Sequence, residues 1–176
     1  PSATMTTRGA SPLSKQREPD LSILTAAVEQ IGARLRNGHL VILESTTYPR
    51  TTREVVLPIL ERTGLKAGRD FHLAFSPERV DPGNKRFNTK NTNKVVGGVG
   101  PNSQTVAVAF YKAAIENIVP VSSSKAAEMV KVYENTFRAV NIALVNEMLL
   151  LCDRMELSVW EVLEAPSPPV VSYGLR

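Results

Sequence analysis

Between Ser124 and Leu157 the chain contains neither proline nor glycine. A continuous helix over that stretch would run ~50 Å at a rise of 1.5 Å per residue, well beyond the ~30 Å breadth of a small domain. At about 100° per residue, Met129, Tyr133, Phe137, Val140, Leu144, Leu151 and Met155 fall on one apolar stripe. From Ile142 to Leu151 (IALVNEMLLL) the polar side almost disappears. A helix apolar nearly all round needs burial on both sides. In a chain of 176 residues the second burying surface is expected to be another copy of the same helix, hence a homodimer. Opposite the stripe, Lys131, Asn135 and Arg138 lie within about 60° of one another at i, i+4 and i+7. By spacing alone those three read as a solvated face.

Upstream the periodicity is different. Leu24, Ala27, Val28, Ile31 and Leu35 recur at helical spacing after Asp20 and Ser22, and Asn37-Gly38 supplies a stop. LVILES (Leu40 to Ser45) is a continuous apolar run too short for a helix and suits a strand buried on both faces. A second amphipathic helix is expected from Thr51 to Leu60, then strands at Phe71–Phe75, Lys94–Gly97 and Ile118–Val121. Pro101 opens a helix whose apolar face is Val106, Ala109, Phe110 and Ala113. Short apolar strands alternating with helices predict an α/β fold with a parallel sheet. The first eleven residues (PSATMTTRGAS) carry no period and read as a loose end.

Composition narrows the function classes. Hydrophobic residues make up 43% of the chain, enough for a core, and a single Cys excludes a disulfide scaffold and any all-cysteine metal site. No metal site is expected. Lys and Arg outnumber Asp and Glu by 21 to 17, with a pI near 9.4. The cations are scattered, and Lys85-Arg86 with Lys90 and Lys94 sits in no nucleic-acid-reading pattern, so no nucleic-acid partner is expected. No window nears the ~20 apolar residues of a membrane span, and no basic-then-apolar leader opens the chain. No membrane partner and a cytoplasmic location are therefore expected. Cys152, between Leu151 and Asp153, reads as a packing residue, because a catalytic thiol needs an electropositive, accessible setting. His39 and His72 stand at no ligand or base spacing.

Several segments carry more than pattern: REPDLS (Arg17 to Ser22), ESTTYP (Glu44 to Pro49), FSPERVDPGN (Phe75 to Asn84), KVVGG (Lys94 to Gly98) and AAEMVKVYENTFRAVNIALVNE (Ala126 to Glu147). In order and in register from about residue 11 to 165, they resemble the nucleotide-sugar 6-dehydrogenases, in particular the branch acting on UDP-N-acetylglucosamine or UDP-N-acetylmannosamine. The resemblance implies NAD-dependent oxidation of the C6 alcohol of a UDP-N-acetylhexosamine to the uronate, a reaction of polysaccharide biosynthesis. It also implies an N-terminal Rossmann domain followed by a long central dimer helix. Residues 1–123 then correspond to the latter part of the NAD-binding domain (1–11 the loose end), 124–165 to the central dimerisation helix region, and 166–176 to a tail without family match.

The resemblance assigns roles by position. Thr46 matches the threonine near the reacting carbon and the nicotinamide, with Ser45 beside it on the cofactor side. Glu78 matches the glutamate that acts through water as a general base, and Arg79 and Val80 line the sugar. Lys131 matches the lysine that holds the developing alkoxide, a task suited to a fixed ammonium. Asn135 matches its hydrogen-bonding neighbour and Arg138 a substrate contact. With the resemblance, the Lys131 face reads as a site rather than as solvated surface.

Two family features do not occur in these residues. There is no GxGxxG; Gly98-Val99-Gly100 comes nearest, with Ser103 in the last glycine position. The family's catalytic cysteine belongs to a glycine-rich segment beyond the central helix, and PSPPVVSYGLR departs from it, as Ala10-Ser11-Pro12 departs from the nucleotide-contacting turn. A chain opening on Pro1 with this motif order is expected to be a central slice of a longer enzyme. Without the pyrophosphate turn and the nucleophile it is expected to be inactive alone, and to lack the helix-N-terminus cradle on which NAD binding depends. The alternatives are a non-catalytic dimerisation or binding module derived from the family, and an unrelated α/β ligand-binding protein.

Overall fold

The computed structural model describes residues 3–5, 19–78 and 93–165. Its elements follow in the order β1 (Ala3–Met5), α1 (Ser22–Gly32), β2 (Leu40–Leu43), a π-helical segment (Thr52–Val56) running into α2 (Leu57–Glu61), β3 (His72–Phe75), β4 (Lys94–Gly98), α3 (Pro101–Lys112), β5 (Ile118–Pro120), α4 (Ser124–Arg154) and α5 (Val159–Glu164). The chain divides into two compact units, Pro1–Lys131 and Val132–Arg176.

The first unit is α/β, as expected, and is built on a five-stranded sheet in the order β1-β2-β3-β4-β5. Every residue of β2 is buried because the strand has helices on both faces. Val41 and Leu43 pack with Leu24 and Val28 of α1 and with Val56, Ile59 and Leu60. Leu40 and Ile42, pointing the other way by the two-residue period of a strand, pack with Ala107 and Tyr111 of α3 and with Ile115. That is the physical reason LVIL reads as an unbroken apolar run. Phe71, Leu73 and Phe75 lose all their exposure on the α1 side, each worth ~1.5–3 kcal/mol of apolar burial.

Two expectations are corrected. The sheet is not parallel throughout: β1-β2, β2-β3 and β4-β5 are parallel, but β3 and β4 are antiparallel, with Ala74 opposite Gly98 and Phe75 opposite Gly97. A parallel pairing usually has a crossover helix, and in sequence the connection opens on the turn-forming residues 76–84 (SPERVDPGN) instead of a helical period. The α3 crossover restores parallel pairing between β4 and β5. The opening residues are not all a loose end, since Ala3, Thr4 and Met5 pair with Val41, Ile42 and Leu43. Three residues are too short a run to show a strand period in the sequence. The other residues before Pro19 lie outside the described set.

The long helix forms, but it ends at Arg154 rather than near Leu157. Neither proline nor glycine ends it. Glu156 takes a left-handed conformation (φ 56°), and Ser158 then caps α5 by accepting from the Glu161 amide. The second unit comprises α4 from Val132 onward together with α5. Along α4 the apolar stripe from Met129 to Met155 is exposed in the single chain, whereas Cys152 is buried. Among the described residues no helix is long and apolar enough to cross a membrane.

Gly97 in β4 is forced by packing. A Cβ on Gly97 would overlap the carbonyl oxygen of Ser123, just ahead of α4, and would lie 2.9 Å from the Ala127 methyl. Gly97→Ala should therefore lower the stability of the first unit by about 1–3 kcal/mol, the usual cost of overpacking. A urea midpoint unchanged from the parent chain would contradict that close approach.

Candidate functional site

The carboxyl ends of β2 and β3 lie side by side, and ligands of α/β sheets bind beyond such ends. From β2 the chain continues as Glu44, Ser45, Thr46 and Thr47; Glu44, Ser45 and Thr47 are buried and Thr46 is half-buried. From β3 it continues as Ser76, Pro77 and Glu78. The Ser76 amide donates to the Leu43 carbonyl (3.0 Å) and its hydroxyl to the Val95 carbonyl (2.7 Å). Both bonds lock the exit of β3 to its neighbours on either side. Glu78 follows, half-buried.

Helix α4 enters this edge through Glu128 and Lys131, one turn apart. Glu128 is fully buried. Its carboxylate accepts from the Arg50 amide (2.5 Å), the Thr52 amide (2.8 Å) and the Thr52 hydroxyl (2.6 Å). It thus satisfies donors at the first helical turn after β2, which otherwise have no partner in their own helix. Arg50 is left-handed there (φ 83°), which turns its amide toward the carboxylate. Lys131 donates from Nζ to the Glu78 carbonyl at 2.6 Å. The ammonium is therefore held at the end of β3, beside the turn that carries Thr46.

Beneath this edge lies a second buried carboxylate. Glu44 Oε1 accepts from Lys94 Nζ (2.7 Å), the first residue of β4, and from the Tyr111 hydroxyl of α3. Lys94 Nζ also stands 5.1 Å from the centroid of the Tyr111 ring. Burial pushes the Tyr111 hydroxyl well above its ordinary pKa; the Glu44 charge and hydrogen bond push it further, Ser76 opposes, and the Glu78 charge adds to the rise. The phenol therefore stays protonated and remains a hydrogen-bond donor. The Thr47 hydroxyl is buried and has no hydrogen-bond partner among the described residues.

Of the residues singled out in the sequence, Glu78 and Lys131 are in direct contact, and Ser45 and Thr46 lie at the adjoining strand end. Asn135 and Arg138 belong to the second unit and are exposed. Arg79 and Val80 lie outside the described residues. Sequence reading missed Glu44, Lys94, Tyr111 and Glu128 as parts of the site. Two signals were present: an acid closing an apolar strand, and an acid three residues before Lys131 on the same side of the helix. Among the described residues no three His, Cys, Asp or Glu side chains cluster in a way that could hold a metal ion.

Comparison with known proteins places these elements in a family. Residues 8–115 match the NAD binding domain of the UDP-glucose/GDP-mannose dehydrogenase family, and residues 125–167 match its central domain. The chain is 40% identical over 156 residues to the UDP-N-acetyl-D-glucosamine 6-dehydrogenase of Pseudomonas aeruginosa, covering 88% of this chain and 37% of that protein. The structure of the UDP-D-ManNAc dehydrogenase of Pyrococcus horikoshii superposes with a TM-score of 0.80 at 40% identity, over 88% of this chain and 37% of that one. The UDP-N-acetyl-mannosamine dehydrogenase of Staphylococcus aureus gives a TM-score of 0.80 at 30% identity, over 93% and 40%. The chain thus spans well under half the length of the relatives it matches.

The Glu128 clamp has a measurable cost if broken. Glu128→Ala leaves two amides and a hydroxyl without their acceptor in a buried place, and unsatisfied buried groups cost ~1–3 kcal/mol each. The variant should lose about 3 kcal/mol or more in urea unfolding. A loss under about 1 kcal/mol would mean that solvent replaces the carboxylate and that the clamp is not buried in solution.

Proposed function

The chain belongs to the UDP-glucose/GDP-mannose dehydrogenase family, and from that premise we propose that it carries part of the substrate site of an NAD-dependent dehydrogenase oxidising the C6 alcohol of a UDP-N-acetylhexosamine to the uronate. The observation that carries the reading is the Lys131 ammonium on the Glu78 carbonyl, at the strand end next to Thr46. A cation fixed in place before reaction stabilises oxyanion charge without reorganising when it develops. In this reading Lys131 holds the C6 alkoxide, Glu78 takes its proton through a water, and Thr46 orients the reacting carbon. Arg79, Val80 and Arg138 bind the sugar nucleotide, and Asn135 hydrogen-bonds beside Lys131. The relatives' names, UDP-N-acetyl-D-glucosamine 6-dehydrogenase and UDP-D-ManNAc dehydrogenase, support a UDP-N-acetylhexosamine as substrate.

NAD, when bound, supplies the hydride acceptor. Ser45 and Thr46 suit its nicotinamide end. A pyrophosphate needs free amides at a glycine turn before a helix, and the one such turn among the described residues, Gly98-Val99-Gly100 before α3, is already used. The Gly98 amide donates to the Gln104 side chain, and a Cβ on Gly98 would overlap the Gln104 main chain. Cys152, the one thiol in these 176 residues, is buried and does not suit a nucleophile. The reading is therefore that residues 1–123 supply the latter part of the cofactor domain and 124–165 the central helix region, and that this polypeptide by itself neither binds NAD tightly nor turns over. Calorimetry should find UDP-N-acetylglucosamine or UDP-N-acetylmannosamine bound and no NAD binding. Robust NAD reduction by the purified chain with either sugar nucleotide would overturn the claim of inactivity.

A second reading, a non-catalytic dimerisation or binding module of the same family, is favoured by one observation: the exposed apolar stripe of α4. Both readings share a homodimer through that helix. Leu144 is 57% exposed and Leu151 48% exposed in the single chain, so neither is needed for the folding of one copy. Leu144→Glu together with Leu151→Glu should leave the first unit folded by circular dichroism. The same pair should turn a dimer into a monomer in sedimentation. A parent chain that is already monomeric, or a variant that stays dimeric, would sink the proposed interface.

A further inference from the structure

We infer that Glu44, Lys94 and Tyr111 form a buried positioning unit that sets the strand ends carrying Thr46 and Glu78 for the sugar nucleotide. The inference rests on the proposed function for its ligand, but not for its geometry.

Glu44 is the first residue after β2 and stands two before Thr46. Lys94 is the first residue of β4, and the antiparallel pairing of β3 and β4, Phe75 opposite Gly97, puts the entry of β4 at the same edge of the sheet as the exits of β2 and β3. A single carboxylate oxygen therefore joins the exit of β2, the entry of β4 and α3 on one face of the sheet. The ammonium is held a second time, over the face of the Tyr111 ring at 5.1 Å. Ser76, between β3 and Glu78, is locked to Val95, the residue after Lys94. Shifting any of the three side chains displaces the backbone at both ends of the site.

Stability alone does not account for the arrangement. Removing two charges from water costs about as much as their attraction returns, so apolar replacements of buried pairs are often neutral or stabilising. What a salt bridge gives here that an apolar pair would not is direction: two donors aimed at one oxygen fix where the end of β2 stands against β4. None of the three reaches the reacting atoms in the proposed mechanism, so they are positioning residues. The influence of the Glu78 charge on Tyr111 is consistent with a unit lying directly under the site.

Three variants of the full chain test this. Tyr111→Phe keeps the ring and removes one donor. Glu44→Gln with Lys94→Met removes both charges together, so that neither is left buried alone. Lys94→Arg keeps the charge. The readouts are calorimetric affinity for UDP-N-acetylglucosamine and UDP-N-acetylmannosamine, amide hydrogen exchange at residues 45–47 and 76–78, and the urea midpoint as control. The double variant is expected to unfold at a midpoint near the parent's, yet to bind the sugar nucleotide about tenfold more weakly, the equivalent of one lost oriented contact. Exchange at both strand ends should rise by about the same factor, while that of α1 stays put. Tyr111→Phe should move both readouts part of the way, and Lys94→Arg should leave them closer to the parent's than the double variant does. A folded double variant with parental affinity and parental exchange overturns the inference, and so does Tyr111→Phe with neither readout moved if the double variant fails to fold. A parent chain that binds neither sugar nucleotide overturns the proposed function instead; the exchange at 45–47 and 76–78 in the variants then decides the positioning role by itself.

Discussion

A carboxylate with no contact with water must find all its hydrogen bonds in the protein, and Glu128 finds three in one short stretch of chain after β2. That requirement fixes how the first turns of α4, up to Lys131, meet the sheet within the first unit. Rotating the helix by one residue, about 100°, would take the carboxylate off the Arg50 and Thr52 donors and leave a buried charge without its hydrogen bonds, a cost of several kcal/mol. Once Glu128 is seated, Lys131 one turn later has a defined place, and its ammonium reaches the Glu78 carbonyl. The left-handed Arg50 and the glycine at 97, which lets the chain at Ser123 come close, serve the same docking.

The sheet supplies the other half of the geometry. Because β2 is buried on both faces, its end emerges between helices rather than at an open surface, and polar groups there need partners at once. Glu44 has Lys94 and Tyr111; Ser76 has Val95 and Leu43. The antiparallel seam between β3 and β4 makes this possible. A parallel β4 would begin at the amino-terminal edge of the sheet, on the far side from the strand ends, and Lys94 could not reach Glu44. The departure from an all-parallel sheet is therefore what puts a cation under the site.

Much of the first unit was legible as pattern. LVIL announced a strand covered on both faces, and α3 and the helix after Thr51 began and ended within a few residues of their sequence signals, whereas α1 stops at Gly32, five residues before the Asn37-Gly38 signal. What the pattern did not carry were features decided by pairing. The direction of β4 depends on which neighbour it joins, and a strand of three residues such as Ala3–Met5 is too short to show a period in the sequence. The end of α4 was likewise invisible, because a left-handed Glu156 with a Ser158 cap breaks a helix without the usual residues.

The same division holds for the site. Glu78 and Lys131 were nameable from the segments SPERVDPGN and AAEMVKVYENTF, 53 residues apart in the chain. By itself the sequence determined that a long amphipathic helix follows an α/β unit, that these two residues belong together by family resemblance, and that no GxGxxG lies among these residues. Only the tertiary structure decided that Lys131 is held by a carbonyl, that Glu128 seats the helix turn before it, and that Glu44 gathers Lys94 and Tyr111 at the neighbouring strand ends. The reason is physical: helical and strand periods are local and survive in sequence, whereas the two buried carboxylates are satisfied by groups 50 and 67 residues away for Glu44, and 76 and 78 for Glu128, which no local period encodes.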